Sequence, residues 1–297
     1  GSAGFIGFHL VKSLLKNKKN LVIGVDNFNK YYSPKIKNKR NSILKKKKNY
    51  FFYKIDLSKS KLLAKIFNSH QIDTVIHLAG QPGVLYSFKN PKSYKINNVY
   101  ATENLCKISN KHNVKKFIFG SSSSVYGDQK KFPIKENSIK NPKNYYAKTK
   151  FQCEKIIKKY FLKRQNYQIF RFFTVYGSFG RPDMFIHKLL NYVKKKKTIS
   201  LHNKGKNLRD FTYIDDVVNI LIKSIKNNFK NKKLNICKSE PIKNTYLIKV
   251  ITNLYGKKTK LNLIAKVRTE ILITQSTNLL LKIHVKCPSI VEVLAWL

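Results

Sequence analysis

Gly1, Gly4 and Gly7 stand at three-residue intervals directly before a helical apolar pattern, His9-Leu10-Val11 and Leu14-Leu15, that ends in a Lys/Asn cluster. Glycines at this spacing allow a tight turn off a strand, admit a pyrophosphate to the backbone and let the following helix pack closely. The next apolar run, Leu21 to Val25, ends in Asp26, about twenty residues beyond the glycines, where a carboxylate accepts ribose hydroxyls. The combination reads as the opening of a dinucleotide-binding unit; an ordinary glycine turn and a surface aspartate are the plainer alternative. The strand that should precede Gly1 is absent from the sequence, so the expectation is a chain cut at its first motif.

Strand and helix patterns then alternate. Tyr50 to Ile55 reads as a strand ending at Asp56-Leu57, and Leu62 to Phe67 as a helix. Thr74 to Leu78 is a buried strand ending in Ala79-Gly80, small residues suited to close approach by a cofactor. His77 lies inside that apolar run and reads as a satisfied core histidine rather than a catalytic one. A helix from Tyr94 to Asn110, a strand from Val114 to Phe119 and a further strand from Gln168 to Phe172 continue the series. Such alternation predicts an α/β fold with a doubly wound parallel sheet and ligand at the carboxyl ends of its strands.

The strand ending at Phe119 empties into Gly120, Ser121 to Ser124 and Val125-Tyr126-Gly127, a row of hydroxyls that is either a ligand-facing set of donors and acceptors or a low-complexity loop. Asn141-Pro142 then signals a helix start, and on that helix Tyr146 and Lys150, four residues apart, share a face. A free tyrosine titrates near ~10, and a close ammonium favours the phenolate at about 1.4 kcal/mol per unit of depression. The spacing alone is weak: with 17 Tyr among 297 residues and 61 Lys+Arg, about three Tyr-x-x-x-Lys matches arise by chance. Tyr31/Lys35, Tyr50/Lys54 and Tyr192/Lys196 match too, and only its surroundings single out Tyr146. Farther along the same helix, Cys153, Ile156, Ile157, Tyr160 and Phe161 form an apolar stripe suited equally to a core face or a dimer interface. Arg181 and Arg209 stand out in a chain that uses lysine nearly everywhere else; arginine binds phosphates bidentately, and pairing with Asp183 or Asp210 is the alternative use.

Composition narrows the function classes. Hydrophobic residues make up 42% and aromatic residues 12%, values of a globular chain. No apolar run reaches the ~18 residues of a membrane span, and nothing at the amino end resembles a signal peptide. Cys106, Cys153, Cys237 and Cys287 are widely separated, which points to reduced cytoplasmic thiols and no metal site. The formal charge of +47 comes from lysines spread along the chain without aromatic interleaving, so nonspecific sticking to polyanions is expected and a specific nucleic-acid site is not. The 14 acids carry more information: Asp26, Asp56, Asp73, Asp183, Asp210, Asp215 and Asp216 fall at strand ends or in motif-like loops.

Taken together, the residues resemble the extended short-chain dehydrogenase/reductase family and its NAD-dependent epimerase/dehydratases. The resemblance covers Gly1 to about Val217 and rests on Gly1-x-x-Gly4-x-x-Gly7, Asp26-Asn27, Asp56-Leu57, His77-Leu-Ala79, Ser121 to Gly127, Tyr146-x-x-x-Lys150 and Arg209-Asp-Phe-Thr-Tyr-Ile-Asp215. Asp26 to Tyr32, Gln81-x-Gly83-Val84, Arg171 to Gly177 and Gly180-Arg-Pro-Asp-Met184 are similar to the UDP-glucuronate 4-epimerase branch. The resemblance implies a Rossmann-type NAD-binding domain over 1–175 with 211–237 returning, and a smaller C-terminal substrate-binding lobe over 176–210 and 238–297. It implies NAD held by Gly1, Gly4, Phe5, Ile6, Gly7, Asp26, Asn27, Asp56, Leu57, Leu78, Ala79, Gly80, Tyr146 and Lys150. Tyr146 would take the proton of sugar O4, Lys150 would hold the nicotinamide ribose, and Ser122 would hydrogen-bond O4. Ser123, Ser124 and Thr174 are candidates for a sugar carboxylate, Arg181 and Arg209 for the UDP portion. A UDP-sugar substrate, a homodimer and a cytoplasmic place in surface polysaccharide synthesis follow from the same likeness.

Within the family, dehydratases place Asp-Glu immediately after the hydroxyl position, for elimination across C5 and C6. This chain has Ser123-Ser124 there, which favours epimerisation. Pro82 and Leu85 depart from the run usual in glucuronate epimerases, Leu85 removing an arginine; Ala101 replaces a usual glycine, and the tail keeps only Thr269, Pro288 and Trp296. A 4-epimerase for UDP-glucose or UDP-GlcNAc and an inactive NAD-binding fragment therefore stand as alternatives.

Overall fold

The computed structural model describes residues 1–162, 166–227, 231–256, 260–264 and 273–276. The chain runs through helix α1 (Phe5–Leu14), strand β1 (Val22–Val25), α2 (Pro34–Lys45), β2 (Tyr50–Tyr53), α3 (Ser60–Ser69) and β3 (Thr74–His77). Two one-turn helices, α4 (Tyr86–Lys89) and α5 (Pro91–Tyr94), and a π-helical turn at Lys95–Tyr100 lead into α6 (Ala101–Lys111), β4 (Lys116–Ser122), α7 (Tyr145–Phe161) and β5 (Asn166–Phe172). Next come β6 (Thr174–Tyr176), α8 (Phe185–Lys194), β7 (Ile199–Leu201), β8 (Leu208–Tyr213), α9 (Ile214–Lys226), β9 (Lys232–Ile236), β10 (Pro241–Lys243), α10 (Asn244–Leu254) and β11 (Leu261–Leu263).

The parallel strands fall into two groups, β1-β2 and β3-β4-β5-β9. Among the described residues no strand joins them. The turn at Gly1 to Ala3 occupies the seam: the Ser2 amide donates to the Val25 carbonyl at 3.1 Å on one side, and a Cβ at Gly1 would come 2.5 Å from the Ala79 nitrogen on the other. Both groups belong to a Rossmann-like α/β arrangement of parallel strands. In β4, every residue from Phe117 to Ser122 is buried, the continuous pattern of a strand covered on both faces. One face carries a core of Leu63, Phe67, Leu105, Phe117, Cys153, Ile157 and Phe161 under α3, α6 and α7. The other carries Leu10, Ile118, Phe170, Val217 and Leu221 under α1 and α9. The apolar stripe of α7 is thus a core face.

Two sequence expectations shift in detail. The segment expected as one helix from Tyr94 is broken by the π-helical turn, which carries Asn97 and Asn98 toward the ligand side; an extra residue in the helical ladder often marks such places. The strand expected to stop at Phe119 continues to Ser122, because Gly120, Ser121 and Ser122 pair with Phe170, Arg171 and Phe172 of β5. A second core, with Ile186, Leu189, Val193, Phe211, Leu247 and Ile251, gathers α8, α10 and the mixed sheet β10-β8-β6. Thr269, Pro288 and Trp296 lie outside the described residues. Among the described residues no helix is long and apolar enough to cross a membrane.

Beneath the end of β4, α7 and β5 are locked by a buried ion pair. Arg171 donates from Nε to Glu154 Oε1 at 2.9 Å and from a terminal nitrogen to Oε2 at 2.7 Å. The remaining donor bonds reach Tyr126 Oη and the Glu136 carbonyl, while Ser121 Oγ donates to Glu154 Oε1 at 2.6 Å. Removing one member leaves the other charge buried and uncompensated, so Glu154→Leu should destabilise the fold by about 3–5 kcal/mol, and the double substitution Glu154→Leu with Arg171→Met should recover much of it. Denaturant midpoints of the three proteins check this.

His77 is buried with Nε2 against Thr102 Oγ1 at 2.9 Å. Burial, with the Lys150 charge adding to it, holds the imidazole well below its ordinary range. A base kept neutral in the fold binds fewer protons there than in the unfolded chain. Its contribution is therefore full above ~6.5 and is lost as pH falls below that value, by at most about 1.4 kcal/mol per unit. His77→Gln should flatten the fall in urea-unfolding free energy between about pH 6.5 and 5, leaving the smaller slopes from His9 and His187, which burial also lowers, and an opposing one from Asp210, which burial raises to about 6.

Candidate active site

A cavity of about 580 Å³ opens along the carboxyl ends of the parallel strands, lined at one end by Gly1, Gly4, Asp26 and Asp56 and at the other by Thr174, Arg181 and Met184. Its first wall is the start of α1. Gly4 is the N-cap and offers no side chain to the first turn, so the amides of that turn face the cavity as an anion site. The turn is tight: a Cβ at Gly7 would lie 2.0 Å from the Gly1 carbonyl oxygen.

At the end of β1, Asp26 Oδ1 accepts the Phe28 amide at 2.9 Å, with Lys37 Nζ of α2 at 3.8 Å. Asn27 Nδ2 donates to Asp56 Oδ2 at 3.1 Å, bringing the ends of β1 and β2 together. Burial works to raise the Asp56 carboxyl, but the Ser58 amide and Asn27 outweigh it and hold it below the usual carboxylate range. Two carboxyl side chains beside an open helix N-terminus, on a glycine turn that a Cβ would fill, suit the ribose and diphosphate of a dinucleotide. Phe5, Ile6, Gly7, Leu57, Leu78, Ala79 and Gly80 line the same cavity.

α7 carries Tyr146 and Lys150 to the cavity. Asn144 caps it, its Oδ1 accepting the Ala147 amide at 2.9 Å. Tyr146 and Lys150 both line the cavity, and buried Lys150 donates from Nζ to the Gly120 carbonyl at 2.8 Å. Asn98, on the π-helical turn, donates to Thr149 Oγ1 at 2.9 Å and accepts the Gln81 amide at 2.6 Å, tying α7 to the loop after β3. Ser122 Oγ accepts the Ser124 amide at 3.2 Å and lies 3.1 Å from Ser124 Oγ. The hydroxyls of Ser122 and Ser124 are thus paired, and both residues line the cavity together with Ser123 and Thr174.

Of the two arginines expected at a ligand, only Arg181 lines the cavity. Its guanidinium is turned onto Asp183, at 3.0 Å from Nε and 2.5 Å from the terminal nitrogen, and Tyr31 Oη donates to the same carboxylate at 3.0 Å. Burial, reinforced by Asp183, pushes the Tyr31 phenol up to about 12. Arg209 does not line this cavity and donates to the Leu208 carbonyl at 3.0 Å. Neighbouring residues of a strand face opposite ways, and Asp210 is the one turned inward, accepting the Lys238 and Ser239 amides at 2.8 and 2.9 Å. Lys37, Asn98 and the cavity-facing Lys188 escaped the sequence reading; no local pattern separates one lysine or asparagine from the many others in this chain.

Comparison with known proteins agrees with this geometry. The model of the NAD dependent epimerase/dehydratase family matches residues 1–237. A UDP-glucuronate 4-epimerase of Thermodesulfobacterium geofontis is 37% identical over 262 residues, covering 88% of this chain and 80% of that protein. The crystal structure of UDP-glucuronic acid 4-epimerase from Bacillus cereus, in complex with UDP-glucuronic acid and NAD, superposes with a TM-score of 0.89 at 32% identity, covering 94% of this chain and 88% of that one. UDP-glucose 4-epimerase of Thermotoga maritima with UDP-glucose superposes with a TM-score of 0.90 at 25% identity, covering 99% and 94%. With its glycine turn, paired acids and Tyr146/Lys150 helix gathered on one cavity, this chain belongs to the NAD dependent epimerase/dehydratase family.

Proposed function

We propose that the chain is an NAD-dependent UDP-sugar 4-epimerase that interconverts UDP-glucuronate and UDP-galacturonate. The observation that carries this reading is that Ser122, Ser123 and Ser124 line the same cavity as Tyr146, one continuous with the first turn of α1. When bound along Gly4, Asp26 and Asp56, NAD+ supplies the acceptor and then the donor for hydride at sugar C4. The chain's own work is with protons. Tyr146 Oη accepts the O4 proton as the carbonyl forms and returns it as the alcohol is restored, while Ser122 holds O4 and Lys150 holds the neighbouring ribose. Ser123, Ser124 and Thr174 offer neutral donors to a sugar carboxylate without the acid/base pair that elimination of water needs. Arg181 reaches a UDP diphosphate by exchanging Asp183 for it.

The division into an NAD-binding domain over 1–175 with 211–237, and a substrate lobe over 176–210 and 238–297, is part of the same reading. It is supported by the separate core around α8 and α10 and by the place of β9 beside β5. A homodimer and a cytoplasmic location rest on the family likeness. A neutral UDP-hexose is the rival substrate, since hydroxyls that hold a carboxylate also hold a neutral ring, and the Thermotoga maritima enzyme has the same fold.

Incubation with UDP-glucuronate and a trace of NAD+, followed by chromatographic resolution of the two uronates, should show conversion that Tyr146→Phe lowers by about 10²-fold or more. Conversion of UDP-glucose with UDP-glucuronate inert would overturn the substrate assignment; inertness toward both would overturn the activity. Thr174→Val should raise KM for UDP-glucuronate more than for UDP-glucose.

A further inference from the structure

Arg40 of α2 forms no part of the cavity wall, and the catalytic reading does not use it. Its side chain is fully buried. One terminal nitrogen donates to the Ala3 carbonyl at 3.0 Å and to Tyr32 Oη at 2.8 Å; the other donates to the carbonyls of Phe179 at 2.5 Å and Gly180 at 3.2 Å. Nε has no hydrogen-bond partner. Among the described residues no carboxylate pairs with this guanidinium. The acids of the neighbouring loops are already engaged: Asp183 by Arg181 and Tyr31, Asp26 by Lys37 and the Phe28 amide.

Neutral oxygens satisfy donors without balancing charge, and a buried cation left in that state is costly. Arg171, equally buried, has the Glu154 carboxylate. The difference lies in what each arginine adjoins. Ala3 immediately precedes Gly4 and the open first turn of α1, while Phe179 and Gly180 immediately precede Arg181. A single guanidinium therefore grips both the back of the anion site and the root of the substrate-side arginine.

We propose that Arg40 is a positioning residue that couples the two halves of the cavity. A dinucleotide diphosphate on α1 balances its charge from across the glycine turn, and its bonds to Phe179 and Gly180 set the loop that carries Arg181, so that cofactor binding prepares the UDP site. The proposal rests on the assignment of the cofactor to the α1 end of the cavity.

UDP binding, measured by calorimetry with and without saturating NAD+, tests it without recourse to activity. The wild type should bind UDP at least about 5-fold more tightly with NAD+ present, and by reciprocity NAD+ more tightly with UDP. Arg40→Lys keeps the charge and loses the fork. It should hold NAD+ within about threefold of wild type while its UDP affinity no longer responds to NAD+. Arg40→Gln should lose both the coupling and about 10-fold or more in NAD+ affinity. A wild type without coupling, an Arg40→Lys protein that retains it, or an Arg40→Gln protein with wild-type NAD+ affinity would overturn the proposal. Thermal unfolding of each variant reports folding, and should Arg40→Gln fail to fold, the Arg40→Lys titration decides alone. Failure of the wild type to bind NAD+ at all would sink the cofactor assignment beneath the proposal, an outcome distinct from lost coupling.

Discussion

The side chain of Lys150, buried against the end of β4 and hydrogen-bonded to the Gly120 carbonyl, fixes how α7 meets the sheet. An amine in that position needs a partner and a nearby exit to polar surroundings, and the strand end supplies both. Once it is pinned, α7 has little freedom: Tyr146 stands one turn above, while Glu154, one turn below, is held by Arg171 and Ser121. Two polar anchors on one helix, with the apolar side chains of Cys153, Ile157 and Phe161 closing the core beneath, set the phenol and the serine cluster in a common frame. The same close packing explains Gly80, where a Cβ would come 3.4 Å from Lys150 Nζ and 2.9 Å from Asn98 Oδ1.

Charge is distributed by the same logic. A chain with a net charge of +47 carries lysine as its ordinary surface residue, and surface lysines screened by solvent and salt say little about specificity. Selectivity comes from the few charges withdrawn from water. Asp26 and Asp56 mark one end of the cavity and the Arg181-Asp183-Tyr31 group the other. Arg40 lies behind both, bonded to each end through backbone carbonyls.

What could be read from the sequence was what local rules govern. The glycine turn, the carboxylate at the end of β1, the strand-helix alternation and the Tyr146/Lys150 face all follow from short-range geometry, and the structure brings them onto one cavity. Features that depend on distant partners were not legible. That Asp210 is captured by amides 28 and 29 residues farther along is one such feature. The π-helical turn that presents Asn98 has no composition of its own, and Lys37 differs from other lysines only in its distance from Asp26. The α7 stripe was ambiguous because a core face and an interface ask for the same residues; contact with Phe117 and Leu105 decided it.

In the proposed reaction Tyr146 works on the O4 proton while the hydrogen on C4 leaves and returns without meeting water. UDP-glucuronate deuterated at C4, turned over in ordinary water and analysed by mass spectrometry and proton NMR, tests this most directly. The expected product is UDP-galacturonate with deuterium retained at C4 and none lost to solvent. Loss of the label to water would mean deprotonation at carbon, and would contradict the mechanism at its core.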